Sequence, residues 1–171
     1  MSNDIKVKIR SYRPDDCATL LSLLCDTVHS VNCKDYTKTQ LNAWTRGCDD
    51  TERWHRSFRS NKTFVAESGG EVVGFGSLDI GFECSVCARG TVHLLYVHKD
   101  CQRKGVGREI LKALENYAQE TAVSELSVYA SITAKPFFSA MGYRFVRDNT
   151  VERNGIEIKN YLMRKTLDSY E

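Results

Sequence analysis

This sequence lacks long apolar runs and has almost no excess of charge of either sign. No apolar stretch approaches the roughly 18 residues of a membrane-spanning helix, which argues against an integral membrane protein. The 24 Lys and Arg residues nearly balance the 22 Asp and Glu residues, and the net charge is +2. Attraction of the whole molecule to nucleic acid or to a membrane would be weak, so we expect neither as a partner. Any anion-binding site must therefore be local.

The amino terminus also lacks the apolar core of a signal peptide, because charged and apolar residues alternate after Asp4. The seven cysteines are odd in number and scattered, which does not fit a disulfide framework. Both observations favour a reduced, cytoplasmic protein. The 171 residues, 42% of them apolar and 27% charged, suit a single globular domain over 1–171.

The spacing of apolar residues alternates between the periods of strands and helices, which predicts an α/β fold. In chain order we predict a strand at 5–11, helices at about 15–31, from 37 and from 50, a hairpin at 63–67 and 72–78, a loop at 81–90, a strand at 91–98, a helix at 107–121, a strand at 125–130, a helix at 133–141, and a hairpin at 143–147 and 156–163. The strands at 91–98 and 125–130 should be parallel, because a helix connects them.

The loop after the strand at 91–98 is the most informative segment of the chain. Residues 99–108 read KDCQRKGVGR and carry four basic residues against one acidic residue. Gly105 and Gly107 allow a tight turn and bring backbone N–H groups close to a ligand at a helix N-terminus. Since the helix dipole also favours an anion there, the expected occupant is a phosphate-bearing ligand.

Two well-known phosphate loops do not fit this segment. A Walker loop needs Gly-Lys followed by Ser or Thr, but here Lys104 precedes Gly105 and Arg108 follows Gly107. A dinucleotide fingerprint needs Gly or Ala three residues after the second glycine, and Ile110 occupies that position. Neither nucleotide-binding fold is supported.

The pattern Q-x-x-G-x-G at 102–107, following a strand end at 95–97, resembles the pyrophosphate loop of the GNAT superfamily of acyl-CoA-dependent N-acyltransferases. The predicted order of elements over most of the chain is also similar to that family. The resemblance implies an α/β fold with a mixed, mostly antiparallel sheet that is splayed at its centre and flanked by helices on both faces. It further implies transfer of an acetyl group from acetyl-CoA to an amine by direct attack, with no metal.

The resemblance also implies a set of cofactor-binding residues. Main-chain groups of Leu95 and Val97 would pair with the pantetheine arm, and N–H groups of the glycine loop would hold the pyrophosphate. The complete implied set is Leu95, Tyr96, Val97, Gln102, Arg103, Lys104, Gly105, Val106, Gly107, Arg108, Ser131 and Phe138.

Residues 131–143 resemble a second motif of the family but depart from it at two positions. Ser131 stands where Asn is common, and Phe138 stands where the family often has the tyrosine that protonates the departing sulfur. The general acid is therefore open, and we choose Tyr129, near the end of the parallel strand. The missing tyrosine also supports an alternative function, a non-catalytic acyl-CoA-binding or partner-binding module.

His93 is the candidate general base. Strict strand alternation would place it on the same face as Leu95 and Val97, and some members of the family use histidine at the corresponding place. Imidazole, with an ordinary pKa near 6.5, can take a proton from an incoming ammonium group. The alternative is a hydrogen-bonded core histidine.

The acceptor is not identified by the sequence beyond a small-molecule or peptide amine. Tyr36 and Trp44 lie in a region that often walls the acceptor site in this family, and core packing is the alternative. Cys84 and Cys87, followed by His93, suggest zinc, but three ligands from one segment without a second pair argue against a metal site. The oligomeric state is open, and a homodimer is one option.

Overall fold

One seven-stranded sheet organises the computed structural model, which describes residues 3–81 and 88–167. The strands are β1 Lys8–Ser11, β2 Lys62–Ser68, β3 Glu71–Gly81, β4 Ala88–Val97, β5 Val123–Ser131, β6 Arg144–Arg153 and β7 Ile156–Thr166. The helices are α1 Cys17–Ser30, α2 Lys38–Thr45, α3 Thr51–Ser60, α4 Val106–Glu120 and α5 Lys135–Ala140. The strand order is β1-β2-β3-β4-β5-β7-β6, and of these pairs β4 and β5 are parallel and the rest antiparallel. The predicted mixed, mostly antiparallel sheet is confirmed.

Helices cover both faces of the sheet, as predicted. On one face α4 buries a complete apolar stripe, consisting of Ile110, Leu111, Leu114 and Ala118. Gly76 of β3 permits this close approach, because a Cβ at that position would lie 2.6 Å from Cγ2 of Ile110. On the opposite face α1 and α3 form a second core cluster that includes Leu20, Leu24, Phe58 and Phe75.

The sheet splits between β4 and β5. Their parallel pairing ends at Val92 and Val128. Beyond these residues β4 stays paired with β3 as far as Val97, while β5 stays paired with β7 as far as Ser131. The two central strands therefore diverge, and the predicted splay at the centre of the sheet is confirmed.

The start of the chain differs from the prediction. The first strand begins at Lys8 rather than at residue 5. The backbone N–H of Ile5 instead donates to the carbonyl oxygen of Lys104 at 3.1 Å. The segment before β1 is therefore attached to the glycine loop as well as to β2, where the hydroxyl of Ser68 donates to the carbonyl oxygen of Lys6 at 2.9 Å. A local pattern of alternation could not indicate the contact with the loop.

The predicted loop at 81–90 is too long. Pairing between Gly81 and Arg89 extends β3 and β4 into both of its ends. Cys84 and Cys87 lie outside the described residues, so the zinc interpretation stays untested. Within the described residues, no helix combines the length and apolar character needed to cross a membrane.

Candidate active site

His93 occupies a β-bulge in β4. The pairing with β3 shifts by one residue between Val92 and Leu94, and His93 is the extra residue. Leu95 and Val97 pack against the core cluster of α4, whereas His93 lines a cavity on the opposite face of the sheet. The prediction that His93 shares a face with Leu95 and Val97 is therefore wrong, because the bulge resets the alternation of the strand.

The cavity has a volume of about 650 Å³ and lies where the split in the sheet begins. His93 and Tyr129 are the first residues of β4 and β5 after the last parallel pair, Val92 and Val128, and both line the cavity. Tyr129 is partly open to solvent, with 47% of the residue exposed. Ser131 lines the same cavity. The fold thus brings the two predicted catalytic residues to either side of one opening.

The surroundings of His93 favour its neutral form. The pKa of His93 lies below its ordinary 6.5, mainly because burial disfavours the charged ring. The negative charge of Asp79 opposes this shift, and the positive charge of Arg153 adds to it. Neutral imidazole is the form that accepts a proton, so the position suits a base at neutral pH. The other three histidines are absent from the cavity lining and hydrogen bond elsewhere, His29 with Thr45, His55 with Tyr12 and His98 with Asp100.

The predicted acceptor residues lie in the cavity wall, but the phenol of Tyr36 is already occupied. Its hydroxyl donates to the carbonyl oxygen of Lys159 at 2.7 Å and accepts from the N–H of Ile132 at 2.8 Å. Only 7% of Tyr36 is exposed. Trp44 packs edge-on against Tyr36, and its indole N–H donates to the hydroxyl of Tyr96 at 3.1 Å. Tyr36 therefore offers a ring surface, while its hydroxyl joins the segment before α2 to β7 and to the residue that follows β5.

Several charged and polar residues line the same cavity that sequence reasoning missed. They come from the end of α2, from α3, and from β6 and β7, and include Arg46, Arg53, Glu152, Arg153 and Asn160. No motif or spacing links these positions along the chain. Only the packing of the α1–α3 face against the sheet brings them together.

Backbone groups of β4 point into the split at alternate residues. The N–H of His98 donates to the carbonyl oxygen of Val73 on β3 at 2.8 Å. Since alternate residues of an antiparallel strand direct their backbone groups to the same side, Tyr96 also faces β3, and Leu95 and Val97 face the split. This direction agrees with the predicted role of Leu95 and Val97 toward a ligand strand.

The carbonyl of Val97 already has two donors. It accepts from the hydroxyl of Thr27 at 3.1 Å and from the side-chain amide of Gln102 at 2.6 Å. Gln102 therefore fixes the glycine loop to the end of β4. The groups of β4 that are left for a ligand in the split are the N–H and carbonyl of Leu95 and the N–H of Val97.

The glycine loop ends in an uncapped helix N-terminus. Gly105 is the N-cap of α4 with φ +81°, a conformation that favours glycine, and Arg103 has φ +62°. Because Gly105 has no side chain, it cannot cap the first N–H groups of the helix. The N–H groups of Val106, Gly107 and Arg108 have no partner within the helix, which makes this end of α4 suited to an anion.

A carboxylate of the chain itself lies at this helix end. A Cβ added at Gly105 would lie 2.9 Å from Cγ of Asp4. The same carboxylate pairs with the guanidinium of Arg108 at 2.5 Å, and the neighbouring Ile5 is hydrogen bonded to Lys104. Asp4 therefore lies beside the loop that is expected to hold a pyrophosphate.

The second motif has a structural role in this chain. The hydroxyl of Ser131 accepts from the N–H of Ala134 at 3.0 Å and so supports the turn into α5, as an Asn side chain would. Phe138 is only 3% exposed and packs edge-on against Phe137 and Tyr143 in the core. Phe138 is absent from the cavity lining, so its contact with the cofactor stays a prediction.

Known proteins share this fold. Residues 32–167 match the family model of the acetyltransferase (GNAT) domain. The Escherichia coli (strain K12) protein YafP, an uncharacterized N-acetyltransferase, is 31% identical over 158 residues, covering 92% of this chain and 95% of YafP. A GCN5-related N-acetyltransferase from Rhodopseudomonas palustris superposes with a TM-score of 0.84 at 30% identity, covering 94% of this chain and 95% of that protein. The PaiA N-acetyltransferase from Thermoplasma acidophilum, solved in complex with coenzyme A, has a TM-score of 0.78 at 15% identity, with 95% and 99% covered.

The split sheet, the bulge at its opening and the glycine loop at a helix N-terminus define the fold of an acyl-CoA-dependent acyltransferase. The chain belongs to the GNAT acetyltransferase family. It is an N-acetyltransferase that moves an acetyl group from acetyl-CoA to an amine. The alternative of a non-catalytic binding module is not favoured, since its relatives are N-acetyltransferases.

Proposed function

We propose that acetyl transfer takes place at the opening of the split between β4 and β5, with His93 as general base and Tyr129 as general acid. One observation carries this proposal: His93 and Tyr129 directly follow the last parallel pair and line the same cavity. A thioester lying along the split would end between them, and an acceptor amine would reach it from the cavity. The acceptor is a small-molecule or peptide amine.

Each protein group has a defined task in this reaction. His93 takes a proton from the amine nitrogen as that nitrogen attacks the thioester carbonyl carbon. A backbone N–H of β4 donates to the carbonyl oxygen as its negative charge develops. The carbon–sulfur bond then breaks, and Tyr129 supplies the proton that the sulfur takes up. Because a thiol has a pKa of about 8.5, the sulfur can depart without full protonation, which makes Tyr129 the less critical of the two.

The proposed cofactor contacts divide between backbone and loop. Leu95 and the N–H of Val97 would pair with the pantetheine arm as an added strand does. The N–H groups of the loop and first helical turn, residues 103–108, would hold the pyrophosphate. The backbone of Tyr96 faces β3, so we assign its contribution to the phenol, which lines the cavity.

Replacing His93 by Ala tests the base. We expect kcat/KM to fall by about 10²–10⁴ because the proton acceptor is lost, while calorimetry should show unchanged acetyl-CoA affinity. Release of free thiol from acetyl-CoA in the presence of an amine panel measures the rate. His29→Ala is the matched control, since His29 is exposed and outside the cavity lining. A His93→Ala enzyme with the wild-type rate and pH profile would remove His93 from the mechanism.

Three further predictions accompany this function. We propose that residues 1–171 work as one domain, which the continuous sheet from β1 to β7 supports. Cytoplasmic location is supported by the five cysteines of the described residues, all of which are free thiols. A homodimer stays a prediction, and sedimentation at several protein concentrations tests it.

A further inference from the structure

The charge of the cavity lining indicates which class of amine the cavity accepts. This inference rests on the function proposed above. Three arginines line the cavity, Arg46, Arg53 and Arg153, against one acidic residue, Glu152. Within residues 3–81 and 88–167, no ion pair or carboxylate hydrogen bond neutralises any of the three guanidinium groups. The lining therefore carries a surplus of positive charge, while Asp79, outside the lining, contributes a negative charge at His93.

A positive wall discriminates among amines by simple electrostatics. Polyamines and lysine-rich peptides would bring further positive charges into the cavity, and like charges brought together there are unfavourable. An amine that also carries a carboxylate would instead gain charge-assisted hydrogen bonds, because the planar guanidinium fork matches a carboxylate with two parallel bonds. The cavity therefore selects against polycations and in favour of acceptors that contain a carboxylate.

Arg153 lines the cavity together with the proposed base. It follows Glu152 at the end of β6, and His93 and Tyr96 belong to the same lining. Burial is the main cause of the lowered pKa of His93, and the charge of Arg153 lowers that pKa further. An acceptor whose nitrogen reaches His93 can therefore place a carboxylate toward Arg153 within the same cavity. An amino acid carries both groups on one small molecule.

The remaining walls fit an apolar side chain. Five aromatic residues line the cavity, Tyr36, Trp44, Trp54, Tyr96 and Tyr129. Its volume of about 650 Å³ lies within the usual range of small-molecule pockets, about 300–1,000 Å³. Aromatic walls bury apolar and aromatic groups and give little to a small polar side chain.

We propose that the acceptor is a free amino acid with an apolar or aromatic side chain, whose carboxylate is bound by Arg153 in the cavity that His93 lines, with Arg53 and Arg46 adding positive charge from α3 and the end of α2. Recognition of the carboxylate by Arg153 makes this arginine a specificity-determining residue. The aromatic walls hold the side chain, and the nitrogen faces His93 and the split.

Matched acceptor pairs test the proposal directly. L-phenylalanine is compared with phenethylamine, and L-tryptophan with tryptamine, by thiol release from acetyl-CoA. The assays are run at pH 8, where the lowered pKa of His93 keeps imidazole neutral in every variant. We expect each amino acid to exceed its decarboxylated partner in kcat/KM by about 10- to 100-fold, the effect of a charge-assisted bidentate pair.

Variants then assign the effect to a residue. Arg153→Gln should lower kcat/KM for L-phenylalanine by about 10- to 100-fold and leave phenethylamine within about threefold. Arg147→Gln is the matched control, since Arg147 lies on the same strand, outside the cavity lining, with its guanidinium bonded to Asp148 and Asn149. This control should leave both acceptors unchanged.

Three results would each contradict the amino acid proposal, and one of them would also contradict the proposed acetyl transfer. Faster turnover of the decarboxylated amines or of spermidine overturns the amino acid proposal and leaves acetyl transfer intact. An equal loss for both members of a pair in Arg153→Gln also overturns it, because Arg153 would then support the fold or His93 rather than the carboxylate. Absence of thiol release with every acceptor, although acetyl-CoA binds, would overturn the proposed function together with this inference.

Discussion

The glycine loop and the acceptor cavity represent opposite ways of building a binding site. The loop comes from one contiguous segment, residues 98–108, and offers backbone N–H groups at the start of α4. The cavity is assembled from α1–α3, β4, β5 and the β6–β7 hairpin, and offers side chains. A site made of local backbone geometry tolerates different side chains, whereas a site made of distant side chains can change its ligand with few substitutions. The comparison explains why the donor is evident from the sequence and the acceptor is not.

The largest effect should follow a negative charge placed in the loop. The position of Gly107 can take a side chain, because a Cβ there would lie 3.4 Å from the ring of Phe137 and 3.5 Å from Val97, which is ordinary contact. Gly107→Glu should weaken acetyl-CoA binding by at least about 100-fold, since a carboxylate beside the phosphates costs several kcal/mol. Calorimetry with acetyl-CoA measures this loss.

Gly107→Gln is the control for that experiment, because it has nearly the same size without the charge. Equal affinities of the Glu and Gln variants would contradict a phosphate at this helix end. Gly105 is a poorer position for the test. Its φ of +81° and the 2.9 Å approach of Asp4 to an added Cβ would strain the fold whatever the ligand does.

A second experiment separates the stabilising role of the Tyr36 hydroxyl from the proposed catalytic role of Tyr129. Tyr36→Phe leaves the carbonyl of Lys159 and the N–H of Ile132 without their partner, so it should lower the free energy of unfolding by about 1–3 kcal/mol. Tyr129→Phe should change stability by less than about 0.5 kcal/mol, because Tyr129 is 47% exposed.

Urea unfolding and thiol release measure both variants. The folded Tyr36→Phe enzyme should retain kcat/KM, and Tyr129→Phe should lose part of it, as expected for a general acid. The opposite assignment, with a rate loss for Tyr36→Phe alone, would make the Tyr36 hydroxyl a participant in the reaction.

A smaller effect is expected from the carboxylate that lies at the glycine loop. Asp4→Asn removes a negative charge from the helix N-terminus and releases Arg108. The KM for acetyl-CoA should fall by about two- to fivefold, in line with the strength of a charge at a helix end. Asp26→Asn, an exposed position on α1, is the control. A higher KM for Asp4→Asn would show instead that Asp4 positions Arg108 for the cofactor.

The smallest effect concerns the pH dependence of the base. Because burial lowers the pKa of His93, log kcat/KM should be level near pH 7 and fall only below pH 6.5, as imidazole takes up a proton. Asp79 raises the pKa of His93, so Asp79→Asn should move this acid limb to lower pH. Arg153 lowers the pKa of His93, so Arg153→Gln should move the limb to higher pH.

Phenethylamine is the acceptor for this series, so that binding of a carboxylate does not enter the comparison. Shifts of the limb in opposite directions identify the titrating group as His93. An acid limb that stays in place in both variants would assign the titration to another group.

Helices, strands and the loop could be predicted because their signals are local. The helices predicted from 37 and from 50 begin there, with Thr37 and Asp50 as their N-caps. The strand at the centre of the sheet and the amphipathic α4 also follow from their apolar periods. The bulge at His93 could not be predicted, since it depends on the pairing of β4 with β3, and the nearly continuous apolar run TVHLLYVH at 91–98 contains no local signal for an extra residue.

The sequence by itself determined the backbone turn at which we propose that the cofactor binds, because glycines, basic residues and a helix start within a few positions are enough to make a turn suited to an anion. It did not determine the environment of the base or the wall of the cavity. Only the tertiary structure decided that His93 faces the cavity, that the hydroxyl of Tyr36 is occupied, and that Arg153 lines the same cavity as His93. The physical reason is that these relations depend on the register between strands and on the packing of side chains far apart in the chain, neither of which has a local period in the sequence.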